Sequence, residues 1–221
     1  PAPYGNYWWG AKHQFLIQAS EIYAAGGSPG MINGLAFDVV TPAGIPLQNF
    51  EIKIGSTTDT DLNGTYLTGL TTVYTSSSYT ETSGWNMHAF STQFIWDGVS
   101  NIVIETCFNN SSYTSNAIVN QSTTTHLSSQ ENHADMSGVC ATTSGASTYY
   151  QRPNIQLDMI PSNTPVNLGV VSWDAPASAG CEMTTTEDIT ISVKNWGTDT
   201  VNAFDLSYSL DNGGTWVTET V

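Results

Sequence analysis

The string Asp59-Thr60-Asp61-Leu62-Asn63-Gly64 carries side-chain oxygens at alternating positions and closes on a glycine. Oxygens spaced in that way can wrap a hard cation, as the opening of a Ca²⁺ loop does, so Asp59, Asp61 and Asn63 are the candidate calcium ligands. Two features separate the string from an EF-hand. Its twelfth position is Leu70 in place of a bidentate Glu, and strands are expected on either side of it. The alternative is a turn in which Asp and Asn bond their own backbone. A second group, Tyr4, Tyr7, Trp8 and Trp9, is compact and aromatic. Aromatic faces stack on pyranose rings, which makes Tyr7, Trp8 and Trp9 candidate ligand contacts; the alternative is packing of the first strand onto a core. His126, His133 and Asp135 are the best grouping for zinc, but their spacing fits no standard site and the histidines are expected in solvent. No nucleophile elbow and no Cys/His signature is expected among the abundant serines. Eleven acids before residue 161 make some carboxylate pair inevitable, so pairing alone does not mark a glycosidase. No residue is assigned a catalytic role, and the chain is read as a non-enzyme.

Composition narrows the partners. Among 221 residues only 10% are charged, with 4 basic against 19 acidic side chains and a net charge of −15. Phosphate binding needs clustered Lys and Arg, so nucleic acid is excluded as a partner, and an anionic membrane surface fails for the same reason. No stretch approaches the roughly 20 apolar residues of a membrane span. Ser and Thr number 24 and 30, while 39% apolar residues suffice for a core. Of the three cysteines, Cys107 and Cys140 flank a polar, Ser/Thr-rich stretch and Cys181 stands apart. In a Lys-poor chain of exported character a Cys107–Cys140 disulfide is the default, leaving an odd thiol at Cys181; three buried free cysteines are the alternative. The start at Pro1, with neither Met nor signal segment, suggests a processed protein or a piece of a longer one.

Period-two alternation must position these groups. Leu35/Phe37/Val39, Phe50/Ile52/Ile54 (with Glu51 and Lys53 pointing away), Ile102/Ile104 and Ile155/Leu157/Met159 each share a face. The pattern continues at Ile189/Ile191/Val193 and Phe204/Leu206/Tyr208/Leu210. Asn33-Gly34, Asn63-Gly64, Asp97-Gly98 and Asn212-Gly213 read as turns. Ser20 is the expected N-cap of a short helix over Glu21–Ala25, stopped by Gly26-Gly27. The expected fold class is all-β: a jelly-roll-like antiparallel β-sandwich over 1–160, a Pro-containing linker over 161–165, and a truncated Ig-like β-sandwich over 166–221. The last segment offers four strands where an Ig-like sandwich needs about seven, so the chain is expected to continue beyond Val221 or to borrow strands.

Several ordered motifs then resemble a known module. They include Gln14-Phe-Leu-Ile-Gln-Ala-Ser-Glu-Ile-Tyr-Ala-Ala25, Gly84-Trp85-Asn86-Met-His88, Phe94-Ile-Trp96-Asp97-Gly98 running on to Cys107, and Arg152-Pro153-Asn154. The module is that of very large surface and secreted, adhesin-like proteins exported by the type IX secretion system. Residues 166–221, with Asp188-Ile-Thr-Ile-Ser-Val-Lys-Asn195, resemble the Ig-like cell-adhesion-related repeat that follows it. The resemblance implies an extracellular, structural or adhesive role with no shared catalytic residues. Expected partners are neighbouring domains or copies of the same giant chain and cell-surface glycan; calcium is the one cofactor considered. Trp85 and Trp96, inside matched motifs with apolar neighbours, are expected in the core. A carbohydrate-binding accessory module of a secreted hydrolase is the alternative function.

Overall fold

The computed structural model describes residues 2–162, 166, 168–176, 188–195, 197, 199–209, 211 and 213–221. The chain divides into two compact units, Pro1–Pro161 and Ser162–Val221. In chain order the first holds β1 (Gly10–Ile17), α1 (Ala19–Ala24), β2 (Gly30–Thr41), β3 (Leu47–Thr57), β4 (Thr71–Tyr79), β5 (Gly84–Trp96) and β6 (Asn101–Asn109). It continues with β7 (Ile118–Val119), β8 (Gln121–Thr123), β9 (Ser129–Ala134), a single 3₁₀ turn Val139–Ala141, β10 (Ser147–Tyr149), β11 (Gln151–Pro153) and β12 (Ile155–Pro161). The second holds β13 (Leu168–Ala175), β14 (Thr190–Asn195), β15 (Asp205–Tyr208) and β16 (Val217–Thr220). The fold is all-β, as the alternation indicates. Cys181, the linker residues 163–165, Leu210 and Asn212 lie outside the described residues.

Two antiparallel sheets make the sandwich of the first unit. One has the order β10-β9-β1-β6-β3-β4 and the other β12-β2-β5, with β7 also paired to β2; β8 and β11 form a separate ribbon. Phe15, Ile32, Leu35, Phe37, Phe50, Ile52, Ile54, Ile102, Ile104 and Phe108 meet between the sheets, every one fully buried. Each such side chain contributes roughly 1.5–3 kcal/mol by leaving water. The second unit pairs β13 with β14 and β15 with β16, both antiparallel, on strands close to those expected.

The six-stranded sheet is buried on both faces at its centre. Its outer face carries a small cluster of Leu16, Leu62 and Val103, because residues 58–70 fold back across it. Side chains of the sheet clamp that loop. The Gln14 amide donates to Leu67 O (2.8 Å) and accepts from Leu67 N–H (2.9 Å), while Gln130 accepts from Gly64 N–H at 3.0 Å and donates to Thr65 O at 3.0 Å. Beside them Glu105 holds Lys12 and Lys53, each at 3.3 Å, and Lys12 also donates to the carbonyls of Cys140 and Thr142. The Cys107–Cys140 disulfide fastens the same region. Continuous burial therefore replaces alternation along β1 and β6.

Three local expectations are corrected. Asn33-Gly34 is no turn: it lies inside β2, where the register against β5 shifts between Ile32 and Gly34. Glycine is needed there because an added Cβ would lie 2.8 Å from His88 O. Helix α1 begins two residues earlier than Ser20 would place it, with Gln18 at the N-cap, since Glu21 Oε2 accepts from Gln18 N–H at 2.8 Å. Asp97-Gly98 does turn the chain, yet it joins strands of different sheets. Gly98 holds φ +81°, and an added Cβ would press on Pro29.

Candidate functional site

Glu21 organises one end of the sandwich. It stands in the first turn of α1, and Arg152 of β11 reaches it through both guanidinium nitrogens, at 2.8 and 3.0 Å. Arg152 also donates to Leu16 O, which ties the β8–β11 ribbon to the end of β1. Half-burial raises the Glu21 pKa, but hydrogen bonds from Arg152 and from Gln18 N–H outweigh it and hold the carboxyl below its usual range. His126 Nε2 lies 3.7 Å from Glu21 Oε2 and has no hydrogen-bond partner among the described residues, although His126 is only 7% exposed. This corrects the expectation of a solvated histidine.

A cleft of about 740 Å³ opens beside this pair, lined by Glu21, Trp85, Arg152, Asn154, Gln156 and Met159 among others. An adjoining hollow of about 530 Å³ shares Glu21, Ser122 and Arg152 and is lined also by Gln18, Thr124 and His126. Asn154 stands between β11 and β12 and lines the cleft, its Oδ1 accepting from Ser122 Oγ at 2.7 Å. The volumes of cleft and hollow are of the size of small-ligand sites, and their walls mix polar with apolar groups.

Trp85 forms part of the wall and is not a core residue. It pairs with Asp38 across the sheet, while its neighbour Asn86 pairs with core Phe37. Period two therefore sends Trp85 outward, 50% exposed, with Met87 beside it on the same face. Trp96 is 1% exposed and in the core as expected, its Nε1 donating to Ser100 O.

The other candidates fall elsewhere. Tyr4 is wholly buried, whereas Tyr7 is 55% exposed and Trp8 stacks on His133 with ring centroids 4.8 Å apart. Tyr7 meets Trp8 edge-on and approaches Tyr113, so Tyr7 and Trp8 belong to a surface aromatic patch; Trp9 is half-buried, its N–H donating to Asp135 Oδ1. Asp59, Asp61 and Asn63 line one small hollow of about 110 Å³. Asn63 Oδ1 serves the turn, accepting from Thr65 N–H at 3.0 Å, whereas Asp61 Oδ1 ties the loop to a distant segment by accepting from Leu127 N–H at 2.8 Å. Among the described residues no group of three or more His, Cys, Asp or Glu is placed to hold a metal. Gly26-Gly27-Ser28-Pro29-Gly30 does carry the Gly-x-Ser-x-Gly spacing. It runs from helix α1 into strand β2, the reverse of the strand-to-helix order that a nucleophile elbow needs.

Searches of protein-family models, of curated proteins and of solved structures found no match. Glu21, Asn154 and Arg152 stood inside recognisable motifs but were not distinguished as site residues. The available signal was scarcity: Arg152 is one of three basic residues in the first unit, so its burial against Glu21 had few alternatives.

Proposed function

We propose that this chain is a non-catalytic, structural or adhesive segment of a very large extracellular bacterial surface protein. The observation that carries the reading is the Cys107–Cys140 disulfide, which staples a loop-covered sheet in a chain poor in Lys and rich in Ser and Thr. Such bonds persist in oxidising surroundings. The resemblance to adhesin-like modules exported by the type IX system agrees with it. The clamped loop and the paired buried charges of the first unit suit a mechanical element, and the net charge of −15 opposes non-specific clumping. In the cleft the acid and the base neutralise each other, which favours binding over proton transfer. Neighbouring domains or copies of the same chain are the partners. A carbohydrate-binding accessory module of a secreted hydrolase is the second reading, favoured by the exposed Tyr7–Trp8 patch. Negative-stain imaging of the native protein that contains this chain tests the proposal: extended, beaded particles are expected, and a compact globule would overturn it.

A further inference from the structure

The geometry points to the Trp85–Arg152 cleft as a binding site for a neutral glycan chain. This inference rests on the surface-protein reading and assigns that surface a ligand.

Three observations select the ligand class. The wall offers an aromatic face: Trp85 is half exposed on the outer side of β5, and no ring stacks on it among the described residues. A large amphipathic ring left open in a concavity suits the apolar face of a pyranose. Around it stand planar polar groups that offer donors and acceptors together. The Arg152–Glu21 fork is joined by Asn154, whose Oδ1 is taken by Ser122 Oγ while its Nδ2 hydrogens have no acceptor among the described residues, and by the exposed amide of Gln156. Sugar hydroxyls, each both donor and acceptor, match such a mixed set.

Charge excludes the acidic glycans. Arg152 is the cleft's cation and Glu21 already neutralises it, while Lys12 and Lys53 are engaged by Glu105 on the outer face of the other sheet. No positive charge remains there for a uronate or sulfate, and a protein of net charge −15 repels such a polymer at distance.

The independent sign of a ligand is His126. Its side chain lines the adjoining hollow, and its Nε2 is buried without a hydrogen bond, 3.7 Å from Glu21 Oε2. A buried polar atom of this kind is costly unless something bonds it. Bonding it to a glycan hydroxyl requires the imidazole to turn into the hollow, which its side chain lines.

Native affinity electrophoresis of the whole 221-residue chain decides the matter, with gels containing barley β-glucan, arabinoxylan, galactomannan or dextran as neutral probes and polygalacturonate as the acidic one. At least one neutral polysaccharide should retard the chain. Trp85→Ala and Asn154→Ala, both at the cleft surface, should weaken that retardation at least tenfold while circular dichroism stays unchanged. Trp216→Ala, an exposed tryptophan of the second unit, should not. The proposal is overturned by no retardation in any neutral gel, by retardation in polygalacturonate alone, or by loss in Trp8→Ala with full binding in Trp85→Ala. Silent gels alongside extended native particles would remove the glycan site and leave the surface role standing; retarded chains from compact particles would do the reverse.

Discussion

Tyr4 Oη and His88 Nε2 are hydrogen-bonded at 2.7 Å in the centre of the sandwich, both side chains wholly buried. The rings of Phe37, Phe50, Tyr74 and Tyr79 surround the imidazole, and its Nδ1 has no partner among the described residues. Tyr4 thus fastens the segment before β1 into the aromatic core, across both sheets.

Burial drives the His88 pKa down from 6.5 to about 4, and no carboxylate faces the ring to restore it. The unfolded chain therefore takes up the proton first. Stability is complete above pH 6.5 and falls as pH drops from 6.5 towards 4, by roughly 3 kcal/mol for this group. Buried His13, also lowered, adds in the same direction. Urea midpoints at pH 7, 5.5 and 4.5 should decline steadily, and His88→Phe should remove much of that decline. A flat profile in the native chain would refute the coupling.

The disulfide spans a sequence separation of 33, so its removal frees a long loop of the unfolded chain. The expected cost is about 3–4 kcal/mol. Urea denaturation with and without a phosphine reductant measures it. Cys107 is fully buried, so reduction should need partial unfolding and proceed slowly in buffer.

Glu105 is the shared anion of Lys12 and Lys53, and the Gln14 amide donates to it at 2.8 Å. Glu105→Gln leaves the buried Lys12 ammonium uncompensated and should cost about 3–5 kcal/mol. Lys53→Met should cost much less, since Lys53 is partly exposed and its second partner, Glu51, can turn to water. Equal losses in the two variants would show that the network is not centred on Glu105.

The two tryptophans of β5 should separate cleanly. Trp96→Ala opens a large cavity in the core and should destabilise by about 3–5 kcal/mol, whereas Trp85→Ala should lie within about 1 kcal/mol of the parent. Thermal denaturation of the two variants checks this. A Trp85 loss as large as that of Trp96 would mean that the ring is structural and not a free wall of the cleft.

Strands with one wet face were legible in the sequence. Phe50, Ile52 and Ile54 alternate with Glu51 and Lys53 because only one side of β3 meets the core. β1 was not legible, since Lys12 and Gln14 look like solvent-facing residues until Glu105, Gln130 and Leu67, all distant in the chain, supply their partners. Trp85 faces outward although its sequence neighbours include apolar residues, and the register shift between Ile32 and Gly34 that separates the Trp85 and Trp96 stretches of β5 shows only once β2 and β5 pair. The candidate site was hidden for a related reason. Glu21, Ser122, His126 and Arg152 come from separated segments, and no local spacing announces their meeting.

We propose that this chain is displayed outside the cell. Immunogold labelling of intact, unpermeabilised cells with an antibody to the folded chain tests it most directly, with the Cys107–Cys140 peptide read by non-reducing mass mapping in the same preparation. Gold at the cell surface or on extracellular fibres and a fully oxidised Cys107–Cys140 pair are expected. Labelling that requires permeabilisation, together with reduced thiols at both positions, would contradict it.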